Sequence, residues 1–212
     1  MVESVDQTVG RMREALARLG LADRTAVFFF SDNGGLSTAE GSPTSNAPLR
    51  AGKGWLYEGG IREPLVVKWP GVARPGSVSD VPVISDDFYP TILEMAGLPA
   101  RPAQHADGRS LAALLRGGPA PARDALFFHY PHFSNQGGRP GGAVRAGRWK
   151  LLESFEDGRL ELYDLHQDVG ETEDLAAAMP DRARRLQARL AAWRAEVGAQ
   201  VPARAEPPGG PA

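Results

Sequence analysis

Thr25 to Phe30 (TAVFFF) run without a charge straight into Ser31-Asp32-Asn33-Gly34-Gly35. A short apolar run rich in aromatic and β-branched residues reads as a buried strand, and in an α/β sheet as a parallel one. Upstream, Val5, Val9, Met12, Leu16 and Leu19 recur at spacings of four and three, the apolar stripe of an amphipathic helix that Gly20 can end. A helix feeding a strand is the repeating unit of an α/β sheet, here met without the strand that should precede it. Ligands of open α/β sheets sit beyond the carboxyl ends of the strands. Asp32 and Asn33 place a carboxylate and an amide oxygen there, donors suited to a hard divalent cation such as calcium or magnesium. Gly34 and Gly35 let the backbone turn sharply and approach a ligand. The same residues also make an ordinary strand-ending turn.

The rest of the chain extends this architecture. Residues 64–69 (PLVVKW) read as a second strand and residues 81–84 as a third. Residues 86–96 (DDFYPTILEMA) read as a helix with Phe88, Ile92, Leu93 and Met95 on its apolar face. Asp86 or Asp87 can cap it, and Pro90 falls near the first turn, where proline is tolerated. Residues 110–115 read as a short helix. Beyond Arg123 the pattern changes to short runs at 125–129, 143–145, 149–154 and 160–163 between glycine-rich turns, as in a small antiparallel sheet. A helix over 182–197 follows, with Leu186, Leu190 and Trp193 on one side. The expected fold class is α/β: a partial sheet flanked by helices over 1–123, then an antiparallel-sheet subdomain with a helix over 124–199. Residues 200–212 form a Pro- and Gly-rich tail with too little apolar content to order.

Composition removes several functions. The formal net charge is −2, so there is no basic surplus for nucleic acid and no pull toward acidic membranes. No stretch is apolar enough to span a bilayer. Cysteine is absent, which excludes disulfides, thiolate metal sites and a cysteine nucleophile within these residues.

A second constellation is residues 52–64, GKGWLYEGGIREP. Glycines flank Lys53, so its backbone can approach a ligand while its ammonium offsets an anion. Lysine is scarce, at positions 53, 68 and 150 only, so one kept here can serve as a point charge; taken alone, the segment favours a solvated loop lysine.

Taken in order, residues 3–35 and 49–71, with SDDFYPTILEMAGLP, DGRSLAALLRG, the FFHYPH run, AVRAGRWKLLE and LELYDLHQDVGETEDLA, closely resemble the sulfatase family. The resemblance extends to about Trp193. It implies an alkaline-phosphatase-like α/β fold with a smaller C-terminal subdomain built on a four-stranded antiparallel sheet. At matching positions it implies that Asp32 and Asn33 are the second pair of metal ligands, usually for calcium, and that Lys53 binds the sulfate group. Glu58 to Arg62 match a segment with a mainly structural role. His129 and His132 fall in a variable run and are expected to pack or to lie at the surface. Trp149 and Lys150 begin a strand of the C-terminal sheet.

Sulfatases use a formylglycine, made from the cysteine or serine of a C/S-x-P/A-x-R signature, whose hydrate attacks sulfur while the metal acts as Lewis acid. No serine here starts such a signature; Ser42 is followed at once by Pro43. The family's first aspartate pair, and its middle region with a second lysine and a histidine, have no counterpart. The expectation is the C-terminal part of a sulfatase, inactive on its own, with Met1 an internal methionine and the N-terminal part of the same enzyme as the missing partner. Its substrate would be a small sulfate ester or a sulfated glycan. The rivals are a non-catalytic module that binds sulfated glycans or a partner chain, and a phosphatase or phosphodiesterase relative. The opening residues have no basic start or apolar core, so export would depend on a signal peptide upstream, and a true start at Met1 would leave the chain in the cytoplasm.

Overall fold

A computed structural model describes residues 2–202. In chain order the elements are α1 (Val2–Arg18), β1 (Val27–Phe30), α2 (Glu58–Ile61), β2 (Leu65–Lys68), α3 (Phe88–Met95), α4 (Ala112–Leu115), β3 (Leu126–Tyr130), β4 (Gly141–Ala146), β5 (Trp149–Ser154), β6 (Leu160–Asp164) and α5 (Pro180–Glu196). They divide into two compact units, residues 1–30 with 65–122, and residues 31–64 with 123–212. Residues 31–64, placed with the first domain on sequence grounds, thus pack with the C-terminal sheet. From residue 203 onward the expected tail lies outside the described residues.

In the first unit, β1 and β2 form a two-stranded antiparallel ribbon with Phe28 opposite Val67 and Phe30 opposite Leu65. The parallel, buried strand expected at TAVFFF is corrected on both counts: it pairs antiparallel, and Phe29 and Phe30 keep 39% and 37% of their surface. A continuous apolar run marks a strand but does not set its direction. Phe28 and Phe30 instead pack on Phe88 of α3, with ring centroids 5.4 and 5.0 Å away. No residue of α1 is buried; of its apolar stripe Val9 and Leu16 are half-buried, while Val5, Met12 and Leu19 are exposed. The third strand expected at 81–84 does not form: these residues join no sheet. The helix expected at 86–96 begins as a 3-10 turn, Ser85–Asp87, and continues as α3 until Gly97 adopts φ 69°. Asp87 stands at the N-cap position of α3 without bonding the helix's first amides; its buried carboxylate instead accepts from the amides of Ile84 (2.9 Å) and Arg109 (2.8 Å). Leu93 is buried as expected, whereas Ile92 points outward.

In the second unit, β3-β4-β5-β6 form an antiparallel meander in sequence order. Alternation along each strand gives the sheet two apolar faces. Val144, Leu151 and Leu162 face α5 and its Ala183, Leu186 and Leu190, whose spacing of three and four puts them on one side of the helix. Full burial of each such leucine contributes about 1.5–3 kcal/mol. Ala143, Leu152 and Tyr163 point the other way and pack with Tyr57, Leu56 and Trp55. Residues 31–64 therefore cover the face that α5 leaves open.

Candidate functional site

The turn after β1 is built by backbone contacts that tolerate no side chain. The Gly34 amide donates to the Gly60 carbonyl (3.3 Å), and a Cβ on Gly34 would overlap the Gly59 carbonyl oxygen. The Lys53 amide donates to the Gly35 carbonyl (3.2 Å), and a Cβ on Gly52 would overlap that same oxygen. The two sequence-defined motifs are thus brought together by backbone hydrogen bonds, of which the Lys53–Gly35 bond joins the Lys53 loop directly to the Asp32-Asn33 turn. Lys53 and Asp32 are exposed and Asn33 is half-buried. The Ser31 hydroxyl donates to the Asn33 carbonyl (2.9 Å), and Asn33 Nδ2 donates to the Gly34 carbonyl (3.2 Å), which leaves Asn33 Oδ1 as an available acceptor.

Asn46, which no sequence signal marks, fastens the cluster. Its Oδ1 accepts from the Gly35 amide (3.0 Å), and its Nδ2 donates to the Gly35 carbonyl (2.8 Å), the Ala51 carbonyl (2.9 Å) and Ser37 Oγ (3.1 Å). Ala51 is held at φ 58°, a left-handed conformation that costs a non-glycine residue about 1–2 kcal/mol. The bonds to its carbonyl, from Asn46 and from Ser37 Oγ (2.9 Å), hold it there.

Asp32, Asn33 and the nearby Glu63 supply hard oxygen donors. Burial, together with the Asp32 carboxylate, holds Glu63 above the usual carboxylate range, and its buried Oε1 has no hydrogen-bond partner. An acid–amide pair beside an orphaned carboxylate oxygen suits a divalent cation, but these donors fall short of the six to eight that calcium takes. Among the described residues no three His, Cys, Asp or Glu side chains converge as a metal cage.

Behind the loops lies a buried charge network. Lys150, fully buried on β5, places Nζ 2.9 Å from Glu58 Oε1 and 2.8 Å from Glu171 Oε1. Glu171 Oε2 accepts from the Glu58 amide at the head of α2 (2.6 Å). Burial raises Glu171, against the pull of Lys150. Arg50 donates to the Glu171 carbonyl (2.9 Å) and to the Tyr163 hydroxyl (2.8 Å), and it lies over the Tyr57 ring at 3.8 Å. Both Tyr57 and Tyr163 donate to Glu161 Oε2, at 2.8 and 2.6 Å. Burial and the Glu161 carboxylate drive both phenols well above the ordinary tyrosine value. The lysine scarcity noted in the sequence thus has two outcomes: Lys53 is exposed in a glycine loop, and Lys150 is a structural ion.

The histidines lie apart from this cluster. His129 packs near Trp193 and Phe155, with Nε2 2.8 Å from the Gln200 carbonyl, and the exposed His132 meets the Tyr130 ring edge-on.

An acid–amide turn tied to a glycine-flanked lysine, beside a four-stranded antiparallel sheet with one covering helix, is an arrangement for an anion and a cation held side by side. The family model described as N-sulphoglucosamine sulphohydrolase, C-terminal, matches residues 51–196, and the sulfatase model matches residues 1–98. A sulfatase from Formosa agariphila is 40% identical over 91% of this chain and 38% of its own length. Human arylsulfatase A is 34% identical over 84% of this chain and 39% of its own. Among solved structures, Ps i-CgsB in complex with k-i-k-neocarrahexaose superposes with a TM-score of 0.78 at 29% identity, covering 91% of this chain and 41% of that one. The chain belongs to the sulfatase family, as the C-terminal part of its alkaline-phosphatase-like fold. It spans 38–39% of the length of the two curated relatives.

Proposed function

We propose that this chain serves sulfate-ester hydrolysis by holding the substrate sulfate with Lys53 and a calcium ion with Asp32 and Asn33. The observation that carries the reading is the Lys53–Gly35 backbone bond, clamped by Asn46, which makes the lysine loop and the acid–amide turn one piece. A flexible lysine would lose that advantage, since electrostatic stabilisation depends on charges already in place when the transition state forms. Lys53 offsets negative charge on the sulfate oxygens. Asp32 and Asn33 contribute two oxygen donors to the cation, and calcium, when bound, supplies Lewis-acid polarisation of the sulfate. The parent substrate is a sulfate monoester, either a small molecule or a sulfated glycan. With no cysteine and no serine in a matching signature, the chain has no residue to become formylglycine, so it turns over no sulfate ester by itself.

Two measurements test this. The purified chain should leave an aryl sulfate intact with or without calcium; calcium-dependent turnover abolished by Asp32→Ala would overturn the proposal. For the positive role, residues 1–200 can replace the matching segment of the Formosa agariphila sulfatase. In that chimera Lys53→Ala should lower kcat/KM by about 10²–10³-fold, the cost of removing one transition-state donor, with an unchanged melting temperature. Near-native turnover in the Lys53→Ala chimera would return Lys53 to a solvated loop residue.

A further inference from the structure

On the α5 side of the C-terminal sheet lies a hollow of about 310 Å³ lined by Ala146, Trp149, Arg182, Arg185, Leu186 and Arg189. Asp32, Asn33 and Lys53 take no part in it. Helix α5 carries five arginines and only two acids, Asp181 and Glu196. Arg182, Arg185 and Arg189 follow spacings of three and four, so they share one face of the helix, one residue before the buried row Ala183, Leu186 and Leu190. That register sets a line of guanidinium groups along the rim of an apolar floor.

The charge in this hollow is poorly compensated. Arg182 lies over the Trp149 ring at 4.0 Å, which fixes the side chain, and its Nε is buried without a hydrogen-bond acceptor. Arg185 has no ion pair or hydrogen bond among the described residues. Arg189 lies 6.0 Å from the Phe127 ring and has one ion pair among the described residues, with Asp124 at 3.9 Å, whose side chain is 96% exposed; such a pair is worth little. The neighbouring acids are engaged elsewhere: Asp164 binds Arg148 through a two-point contact, and Glu153 binds Arg194 and Gln187. No carboxylate lines the hollow. Guanidinium groups are rigid forks of N–H donors that match oxyanions two points at a time.

We propose that this hollow is an anion-binding surface for a sulfated oligosaccharide. The choice of sulfate among oxyanions rests on the proposed function, whereas the unpaired basic hollow stands without it. The volume suits one or two sugar units and not a long backbone-tracking groove. Nucleic acid fits less well: the Trp149 face that could stack a base is already covered by Arg182, and the chain as a whole carries a net charge of −2. A glycan held here would be a chain anchored through its sulfates while other sulfates remain free to react.

The test uses the whole chain and calorimetric or fluorescence titration with low-mass dextran sulfate. Neutral dextran, inorganic sulfate and duplex DNA are the comparison ligands. Arg185→Ser/Arg189→Ser should bind dextran sulfate about tenfold more weakly, the combined effect of two exposed charge contacts, and with a shallower salt dependence. Arg184→Ser, whose arginine already pairs with Asp181, should bind like the parent. Unchanged affinity in the double variant overturns the proposal. So does a loss of binding in Lys53→Ala larger than that in the double variant, which would assign the glycan to the Lys53 loop and support the proposed function instead. Duplex DNA binding as tightly as dextran sulfate would also overturn it, leaving an unselective polyanion surface. Both serine replacements are at surface positions, and an unchanged far-UV circular dichroism melt confirms that the fold is intact.

Discussion

Replacing Lys150 by methionine should be among the most damaging single changes available in the second unit. The substitution keeps an unbranched chain of similar length in β5 and removes only the ammonium. Glu58 Oε1 and Glu171 Oε1 then lose the one cation within 3 Å of each, and the cations left near Glu58, Arg62 and Arg145, stand at 3.9 Å. Two buried carboxylates without a partner between them cost about 3–5 kcal/mol, a large share of the 5–15 kcal/mol typical of a folded domain. Urea denaturation followed by tryptophan fluorescence in a Trp69→Phe background reads the second unit alone, because the other three tryptophans, Trp55, Trp149 and Trp193, belong to it. The triple variant Lys150→Met/Glu58→Gln/Glu171→Gln should recover most of the loss, since it removes the stranded charges as well as their counterion. The single variant also has a pH signature. Burial already raises Glu171 in the folded state and Lys150 opposes it, so without the ammonium the variant is relatively more stable at low pH and loses stability as pH rises through the raised value. Its deficit should be smaller at pH 5 than at pH 8. A loss below about 1 kcal/mol, the range of exposed ion pairs, or a triple variant no more stable than the single one, would refute the reasoning.

Three further outcomes follow from the geometry. Gly34→Ala should cost more than about 2 kcal/mol because its methyl overlaps the Gly59 carbonyl, whereas Gly10→Ala, with open space around it on α1, should stabilise by about 0.5–1 kcal/mol; chemical denaturation compares them. Asn46→Ala should cost about 1–3 kcal/mol and sharply raise hydrogen exchange at the Lys53 amide, as the bonds holding its loop are lost. Tyr57 and Tyr163 are raised in the folded state, so the unfolded chain loses phenolic protons first and stability should fall as pH climbs above 10.0, the ordinary tyrosine value; Tyr57→Phe/Tyr163→Phe should lessen that alkaline loss in melts monitored alongside absorbance at 295 nm.

The C-terminal sheet is legible in the sequence because short apolar runs fall between glycine-rich turns, and all four strands and α5 fall within a few residues of where the pattern puts them. Asp32, Asn33 and Lys53 are legible as residue types in suggestive company, and the structure draws their two loops together. Lys150, Glu171 and Asn46 were not legible. A lysine opening a strand reads as solvent-facing unless something covers that side of the sheet, and what covers it is a stretch nearly a hundred residues upstream. Asn46 works through bonds to backbone atoms, which carry no sequence mark. The direction of β1 is not legible, because burial and not hydrogen-bond pattern shapes an apolar run. The apolar row on α1 is readable as a row, yet nothing in the sequence says whether another surface meets it.

Because Glu58 at the head of α2 is bonded to Lys150 in β5 and to Glu171 beyond β6, the lysine loop and the C-terminal sheet are inherited as one piece. Recombination that exchanged the C-terminal sheet between relatives while leaving residues 31–64 behind would bring in strangers to Glu58 and would break the loop that carries Lys53. Crossovers that survive should therefore fall outside both stretches. Among relatives, replacement at any one of positions 58, 150 and 171 should be accompanied by replacement at the other two.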